Sequence, residues 1–249
     1  MSGHSKWATI KRKKAATDAK RGAVFTRVIK EITVAARMGG GDPDANPRLR
    51  MAIAQAKGAN MPTANIERAI KKGTGELEGV SYESLTYEGY GPGGAAILMD
   101  VLTDNKKRTV ADIRHVMTKY GGNLGEAGSV AWQFENRGSL VVAADGVDEE
   151  DLFDAAVEYG ADDMVDGDGQ YIVSVPAEKA FELQAVLLDK DFPVESVEIG
   201  LEPTNSVEVT GGDARRLLQL LDALDDNDDI QKVSANCDIP EEVLAQYAD

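Results

Sequence analysis

The spacing of apolar residues changes once along this chain, close to residue 75, and that change limits the folds available to it. Upstream, from Val24 onward, apolar side chains recur at every third or fourth position, the period of an α-helix with one buried face. Downstream, from residue 81, they alternate or form short runs bounded by Gly and Pro, as in β-strands. The sequence therefore predicts a helical N-terminal region followed by mixed α/β structure.

Three short helices are predicted in the N-terminal region. The second has the clearest start, because Asn46 is a good N-cap residue and Pro47 suits the first helical position. Glycines end all three helices. Their predicted bounds are Val24 to Gly39, Asn46 to Gly58 and Thr63 to Gly73. We expect them to form a small bundle.

Residues 138 to 200 follow the order strand, helix, strand, strand, helix, strand, which is that of a ferredoxin-like sandwich. The segments around it, including a predicted strand "NSVEVT" (205–210), would together complete a second such unit. The predicted fold class is α+β: a basic tail and a three-helix bundle, followed by two ferredoxin-like α/β sandwich domains, the third domain inserted in the second. The predicted parts are a basic flexible tail (1–22), a basic three-helix domain (23–75), a discontinuous α/β domain (76–136 plus 204–249) and an inserted acidic domain (137–203).

Charge is divided unevenly between these parts. Residues 1–75 hold 16 Lys and Arg against five Asp and Glu, a net charge of +11, although the whole chain carries −16. Such an excess of one sign predicts an anionic partner such as nucleic acid. The alternative is that these cations only solubilise a helical face.

The candidate nucleic-acid-binding residues come from the tail and from the outward faces of the helices. Trp7 is included because it could stack on an unpaired base, although a core position is the alternative. Met61 lies in the "GANMPTAN" turn (58–65), which could reach a functional site or be a plain helix–helix turn. The full set is Lys6, Trp7, Lys11, Arg12, Lys13, Lys14, Lys20, Arg21, Arg27, Lys30, Arg37, Arg48, Arg50, Lys57, Met61, Arg68, Lys71 and Lys72.

Patterns typical of catalysis are weak in this sequence. "GYGPGG" (89–94) lies between two strands and is interpreted as a hairpin turn, and "DGDG" (166–169) as another turn. Two histidines supply neither a triad nor a zinc site. The acidic run "DALDDNDD" (222–229) is interpreted as a solvated helix end, with weak divalent-ion binding as the alternative. We predict no enzyme activity, no metal and no cofactor.

The expected compartment is the cytoplasm. The single cysteine, Cys237, fits a reducing environment, and no apolar run is long enough for a membrane span. The basic N-terminus lacks a clean apolar face, so we interpret it as part of the mature protein.

Five stretches of the chain resemble the YebC/PmpR family, whose mitochondrial relatives include the translational activator of cytochrome c oxidase. They are "GHSKWATIKRKKAATDAKRG" (3–22), "GGGDPDANPRLRMAIAQAKGANMPTANIERAIKKGTG" (39–75), "YEGYGPGGAAI" (87–97), "TDNKKRT" (103–109) and "GGNLGEAGSVAWQF" (121–134). The resemblance implies a three-domain α/β protein of the bacterial cytoplasm. It also implies one of two roles: a DNA-binding transcriptional regulator, or a ribosome-associated factor that assists elongation at difficult peptides such as proline runs.

The sequence favours the ribosomal role. No helix pair has an evident recognition helix with base-reading side chains at its start, and a basic tail containing Trp7 suits irregular RNA. We therefore expect a ribosome- or rRNA-binding translation factor that docks through residues 1–75, while the acidic domains suit contacts with proteins. DNA-binding transcriptional regulation is the alternative, and a hydrolase built on the acidic domains is a third, less favoured interpretation.

Overall fold

The computed structural model describes residues 18–167 and 169–248, which contain eight α-helices and ten β-strands. The helices are α1 (Asp18–Gly39), α2 (Pro47–Gly58), α3 (Thr63–Thr74), α4 (Lys106–Lys119), α5 (Glu149–Glu158), α6 (Ala180–Asp189), α7 (Gly211–Asp225) and α8 (Glu241–Ala248). The strands are β1 (Glu83–Tyr90), β2 (Ala96–Thr103), β3 (Asn123–Leu124), β4 (Phe134–Ala143), β5 (Asp163–Gly167), β6 (Gln170–Pro176), β7 (Val194–Pro203), β8 (Val207–Glu208), β9 (Ile230–Ala235) and β10 (Cys237–Asp238). The chain divides into two compact units, one spanning residues 132–205 and the other holding the segments on both sides of it.

Helix α1 is the centre of the N-terminal bundle and packs against both α2 and α3. Ile32, Leu49 and Ala56 are fully buried between the helices. Asn46 caps α2 as predicted: its Oδ1 accepts a hydrogen bond from the Leu49 N–H (3.1 Å), while its Nδ2 donates to the Ala35 carbonyl (2.8 Å). One side chain thus starts α2 and fixes it against α1.

Helix α1 begins at Asp18, earlier than the predicted start at Val24, so residues 18–22 are helical rather than part of a flexible tail. The prediction relied on the apolar stripe, and this first turn has none. Ala, Lys and Arg are nevertheless good helix formers, and an acidic residue in the first turn interacts favourably with the helix dipole. The remainder of the predicted tail, residues 1–17, lies outside the described residues.

Gly73 allows α1 and α3 to approach closely. A Cβ atom added there would lie 2.5 Å from the Thr33 carbonyl oxygen and 2.7 Å from the Ala36 Cβ. Because the first of these atoms belongs to backbone, we expect Gly73→Ala to lower the free energy of unfolding by about 1–3 kcal/mol, the usual effect of overpacking. Urea unfolding of the full chain measures it. Gly58→Ala is the control, since its added Cβ meets nothing within 4 Å; equal losses in both variants would contradict the packing argument.

The first sheet has the strand order β3-β1-β2-β9. Strands β1 and β2 form an antiparallel hairpin from Glu83↔Thr103 to Tyr90↔Ala96, which confirms the hairpin interpretation of "GYGPGG". Gly93 and Gly94 at its turn have φ values of 73° and 80°, which explains the glycines. Helices α4 and α7 contribute Ile113, Met117 and several leucines to the core shared with this sheet.

The connectivity of this first unit differs from the sequence prediction in one respect. The segment 205–210, predicted as a strand of the sheet, is reduced to β8, which pairs in parallel with β10 in a separate two-stranded sheet. The edge position is taken instead by the two-residue strand β3. Strands β1 and β2, joined by the predicted hairpin, therefore occupy the two central positions of the sheet.

Residues 132–205 form a ferredoxin-like sandwich, as the sequence predicted. The strand order is β5-β6-β4-β7, with every neighbouring pair antiparallel. Alternate residues of β6 are buried, and Leu140, Leu152, Val173 and Leu183 are fully enclosed between the sheet and helices α5 and α6. Asp148 caps α5 by accepting hydrogen bonds from two backbone N–H groups. The mixed α+β architecture is thus confirmed. Among the described helices, none is both long enough and apolar enough to cross a membrane.

Candidate nucleic-acid interface

The outward surface of α3 carries three cations, Arg68, Lys71 and Lys72, which we call the α3 cationic face. They project opposite Ile66 and Ala69, which are buried in the bundle. Arg68 and Lys71 are exposed and Lys72 is half-buried. None of the three makes an ion pair or a side-chain hydrogen bond with another described residue, so their charges are available to a ligand. Lys57, in the last turn of α2, is exposed in the same way.

Three further exposed arginines already have intramolecular partners. Arg48 donates from Nε and Nη2 to the two carboxylate oxygens of Glu31 (2.6 and 3.1 Å), which offsets its charge. Arg37 donates to the Ser81 hydroxyl (2.6 Å) and Arg50 to the Pro43 carbonyl (3.2 Å). These last two partners are uncharged, so Arg37 and Arg50 keep their net positive charge at the surface.

The prediction that Arg27 and Lys30 face outward was wrong. Arg27 lies 3.5 Å from Asp225, and Lys30, only 6% exposed, lies 2.6 Å from Asp229. The Lys30 ammonium also donates to the Asp228 carbonyl (2.8 Å). The apolar stripe of α1 identifies the face packed in the bundle, but the opposite face meets the C-terminal part of the chain. Both cations are therefore enclosed within the protein.

Asp229 is the buried centre of a polar cluster, which we call the Asp229 cluster. It consists of Lys30, Thr103, Arg108, Thr109 and Asp229. Besides Lys30, the carboxylate accepts hydrogen bonds from the Thr109 hydroxyl (2.6 Å), Arg108 Nη2 (3.0 Å) and the Thr103 hydroxyl (3.3 Å). Burial alone would raise the pKa of Asp229, but the hydrogen bonds from Lys30, Thr109 and Arg108 outweigh it and lower the pKa to about 2. The ion pair and hydrogen bonds of the Asp229 cluster thus connect α1 to the first sheet.

The sequence suggested that the acidic run at 222–229 is a plain solvated helix end, and the structure shows that it is not. Asp225 and Asp229 pair with α1, and Asp222 accepts a hydrogen bond from the Tyr247 hydroxyl (2.8 Å). No local pattern reveals this, since the partners lie about two hundred positions apart in the chain. Within the residues described, no group of three or more His, Cys, Asp and Glu is arranged to hold a metal ion.

Met61 does not extend towards a ligand. It is 5% exposed and packs in the bundle core with Ile66 and Ala56, so the turn between α2 and α3 uses it for stability. Pro62 is exposed beside it. The tail candidates Lys6, Trp7, Lys11, Arg12, Lys13 and Lys14 lie outside the described residues, as do the side chains of Lys20 and Arg21. Among the predicted binding residues that the structure describes, those at the surface without a carboxylate partner are Arg37, Arg50, Lys57 and the α3 cationic face.

Known proteins resemble this chain along nearly its whole length. A family model for the TACO1/YebC protein N-terminal domain matches residues 5–76, and one for the TACO1/YebC second and third domain matches residues 82–237. A protein of Syntrophobacter fumaroxidans is 55% identical over 249 residues, 100% of both chains, and one of Geobacter sulfurreducens is 55% identical over 98% of both. Both are described as probable transcriptional regulatory proteins.

A solved structure has the same fold. The crystal structure of a conserved hypothetical protein, Aq1575 from Aquifex aeolicus, superimposes with a TM-score of 0.81 at 47% sequence identity. The match covers 91% of this chain and 94% of that one.

Proposed function

The chain belongs to the TACO1/YebC family, and from that premise we propose that it is a non-enzymatic regulator of gene expression that binds nucleic acid in the cytoplasm. The observation that carries the proposal is the α3 cationic face, three cations with no side-chain partner among the described residues, in the most basic third of an acidic chain. Relatives described as probable transcriptional regulatory proteins support DNA as the ligand.

The available cations suit contacts with a phosphate backbone. Arg68, Lys71 and Lys72 lie on one helical surface, where each can neutralise a phosphate and release a counterion. Such contacts supply affinity and orientation but no sequence information. The acidic remainder of the chain repels nucleic acid, so approach with the N-terminal helices first is favoured. Sequence preference, if the ligand is DNA, has to come from other contacts or from DNA shape.

Ribosomal RNA is the second candidate ligand, and the start of α3 supports it. In a helix-turn-helix protein, the first residues of the recognition helix contact base edges. Here the exposed side chains of the first turn are Thr63 and Ala64, while Asn65 is half-buried. A helix of this kind favours a ligand recognised by its backbone and shape, as folded RNA is. With ribosomal RNA as its ligand, the protein would assist translation, for example during elongation through proline runs.

Binding at matched salt separates the two candidates. The intact protein is titrated with purified ribosomes, with random RNA of equal length, and with promoter and random DNA duplexes at 0.15 M salt. A regulator of transcription should bind one duplex at least about a thousandfold more tightly than random DNA. A ribosomal factor should prefer ribosomes to random RNA and show no such duplex preference. Equal and weak binding to all four ligands would contradict the proposal in both forms.

A further inference from the structure

One edge of the first sheet is incompletely paired. Strand β1 pairs with β2 along its whole length, but with β3 only at Gly89 and Tyr90. On that side, the stretch from Glu83 to Glu88 has no strand partner among the described residues. Unpaired strand edges are sites where another chain can add, and proteins usually cover or interrupt them.

The backbone groups of this edge can be assigned from the hydrogen bonds at its end. The Gly125 N–H donates to the Glu88 carbonyl (2.8 Å), so Glu88 points its backbone groups away from β2. Gly91 donates across the hairpin to Ala95 (2.8 Å), which places the odd-numbered residues on the β2 side. Backbone groups alternate between edges along a strand. The N–H and C=O groups of Ser84 and Thr86 therefore face the open edge.

A groove with a volume of about 680 Å³ lies beside the part of this edge that is nearest β3. One wall is β1 at Thr86–Glu88, the second is the surface of α4 that carries Val110, Arg114 and Thr118, and the third is the loop 123–127. Strand β3 closes one end. Outside the groove, at the start of the open edge, the ion pair between Lys106 and Glu83 (2.5 Å) joins α4 to β1. The open edge is ~16 Å long, enough for about five extended residues.

The wall opposite α4 is held in place by a buried carboxylate. Glu88 Oε1 accepts a hydrogen bond from the Gly128 N–H (2.6 Å), and its Oε2 accepts from Val130 (2.7 Å) and Ala131 (2.8 Å). Burial would raise the pKa of Glu88, but these three donors together lower it, so the side chain stays ionised at neutral pH. The loop that borders the groove is thus fixed before any ligand arrives.

Arg114 supplies the charge that a ligand would meet. It is exposed in the groove and makes no ion pair or hydrogen bond with any other residue that the structure describes. A carboxylate is the side-chain group that best matches a guanidinium. A nucleic acid would fit less well, because it has no backbone amide groups to pair with the strand edge. Glu126 also lies in this groove, so an acidic side chain is favoured only close to Arg114.

We propose that this groove binds an extended peptide of another protein, which adds as a strand to the open edge of β1 and places an acidic side chain against Arg114. Main-chain pairing of the peptide with Ser84 and Thr86 supplies affinity. Contacts of the peptide side chains with Arg114 and the neighbouring Val110 supply selectivity, as in other cases of strand addition. The inference goes beyond nucleic-acid binding, since it assigns a separate protein contact to the α/β part of the chain.

Selection from a phage library of random linear heptapeptides on the full-length protein tests the proposal. Selected peptides, labelled with fluorescein, are titrated by anisotropy against the wild type, Thr86→Pro, Arg114→Ala and the control Arg215→Ala, an exposed arginine of α7. We expect enriched peptides to carry Asp or Glu. Thr86→Pro and Arg114→Ala should each weaken binding by about tenfold or more, and Arg215→Ala by less than about twofold.

Two further measurements keep the test independent of folding. Thr86→Pro removes an unpaired N–H and the hydroxyl that donates to Asp100 Oδ1 (3.4 Å), so its urea midpoint should stay close to that of Thr86→Ala, which loses the hydroxyl alone. N-methylation of a selected peptide should abolish binding at alternate positions only, because alternate N–H groups face β1. The absence of enriched peptides, uniform sensitivity to N-methylation, or unchanged affinity in Arg114→Ala would overturn the proposal. So would a single-stranded RNA decamer that binds in an Arg114-dependent way and displaces the peptides.

Discussion

Asp229→Ala should lower the free energy of unfolding by about 3–5 kcal/mol, the usual loss when one member of a buried ion pair is removed. The substitution leaves the Lys30 ammonium buried, with the Asp228 carbonyl as its remaining hydrogen-bond acceptor in the Asp229 cluster. It also removes the shared acceptor of Arg108 and Thr109. Urea unfolding of the full chain gives the difference.

Asp104→Ala is the matched control for that loss. Asp104 also binds Arg108 (2.8 Å), but both side chains are largely exposed, and surface pairs contribute less than about 1 kcal/mol. Similar losses in the two variants would show that the Asp229 cluster does not hold α1 against the sheet.

The same cluster predicts a dependence of stability on pH. The pKa of Asp229 falls from its ordinary value of 3.8 to about 2 in the folded protein. A carboxylate whose pKa is lowered by folding stabilises the protein above its ordinary pKa, and this contribution disappears as the pH falls through the folded pKa. We therefore expect the difference in unfolding free energy between wild type and Asp229→Asn to be constant above pH 5 and to shrink between pH 4 and pH 2. A constant difference down to pH 2 would contradict the assignment.

Removal of the α3 cationic face should weaken nucleic-acid binding by about a hundredfold at 0.15 M salt. The triple variant Arg68→Ala, Lys71→Ala and Lys72→Ala loses up to three phosphate contacts. On duplex DNA, each contact contributes about 0.9 to the slope of log affinity against log salt concentration, so the slope should fall by up to about 2.7. Titrations of the ligand that binds best, at four salt concentrations, measure both quantities.

A second triple variant separates this local effect from net charge. Lys190→Ala, Arg215→Ala and Arg216→Ala removes the same number of cations from helices α6 and α7 and their ends, outside the N-terminal region. Its slope should match that of the wild type. If the two triple variants behave alike, the binding responds to overall charge, and the α3 cationic face has no particular role.

Local rules were sufficient where a structural element is determined by its own residues. The Asn46 cap, the "GYGPGG" hairpin and the chain order of helices and strands in residues 132–205 all follow from turn chemistry and periodicity within short windows. The site was harder to predict. The outward position of Arg68 and Lys71 follows from the helical period of α3, but the enclosure of Lys30 depends on Asp229, which no window around α1 contains.

Two other features lie beyond sequence patterns for physical reasons. Met61 reads as a turn residue because Asn60 and Pro62 flank it, yet its side chain completes the core of the bundle. The groove beside β1 exists because β3 stops after two residues, and strand length is poorly specified by a sequence as glycine-rich as 121–128. Both features depend on contacts between residues in the folded chain, and a sequence pattern does not show such contacts.

Because residues 132–205 interrupt the first unit in sequence, they determine the order in which the two units can fold during synthesis. The inserted sandwich is contiguous, so it can close as soon as its last strand has left the ribosome. The surrounding sheet has to wait for β9, and α1 gains its partners Asp225 and Asp229 only when the final residues emerge. The N-terminal helices of a newly made chain therefore exist for several seconds without the ion pairs to Asp225 and Asp229, and a C-terminal truncation that removes these residues would leave them in that state permanently.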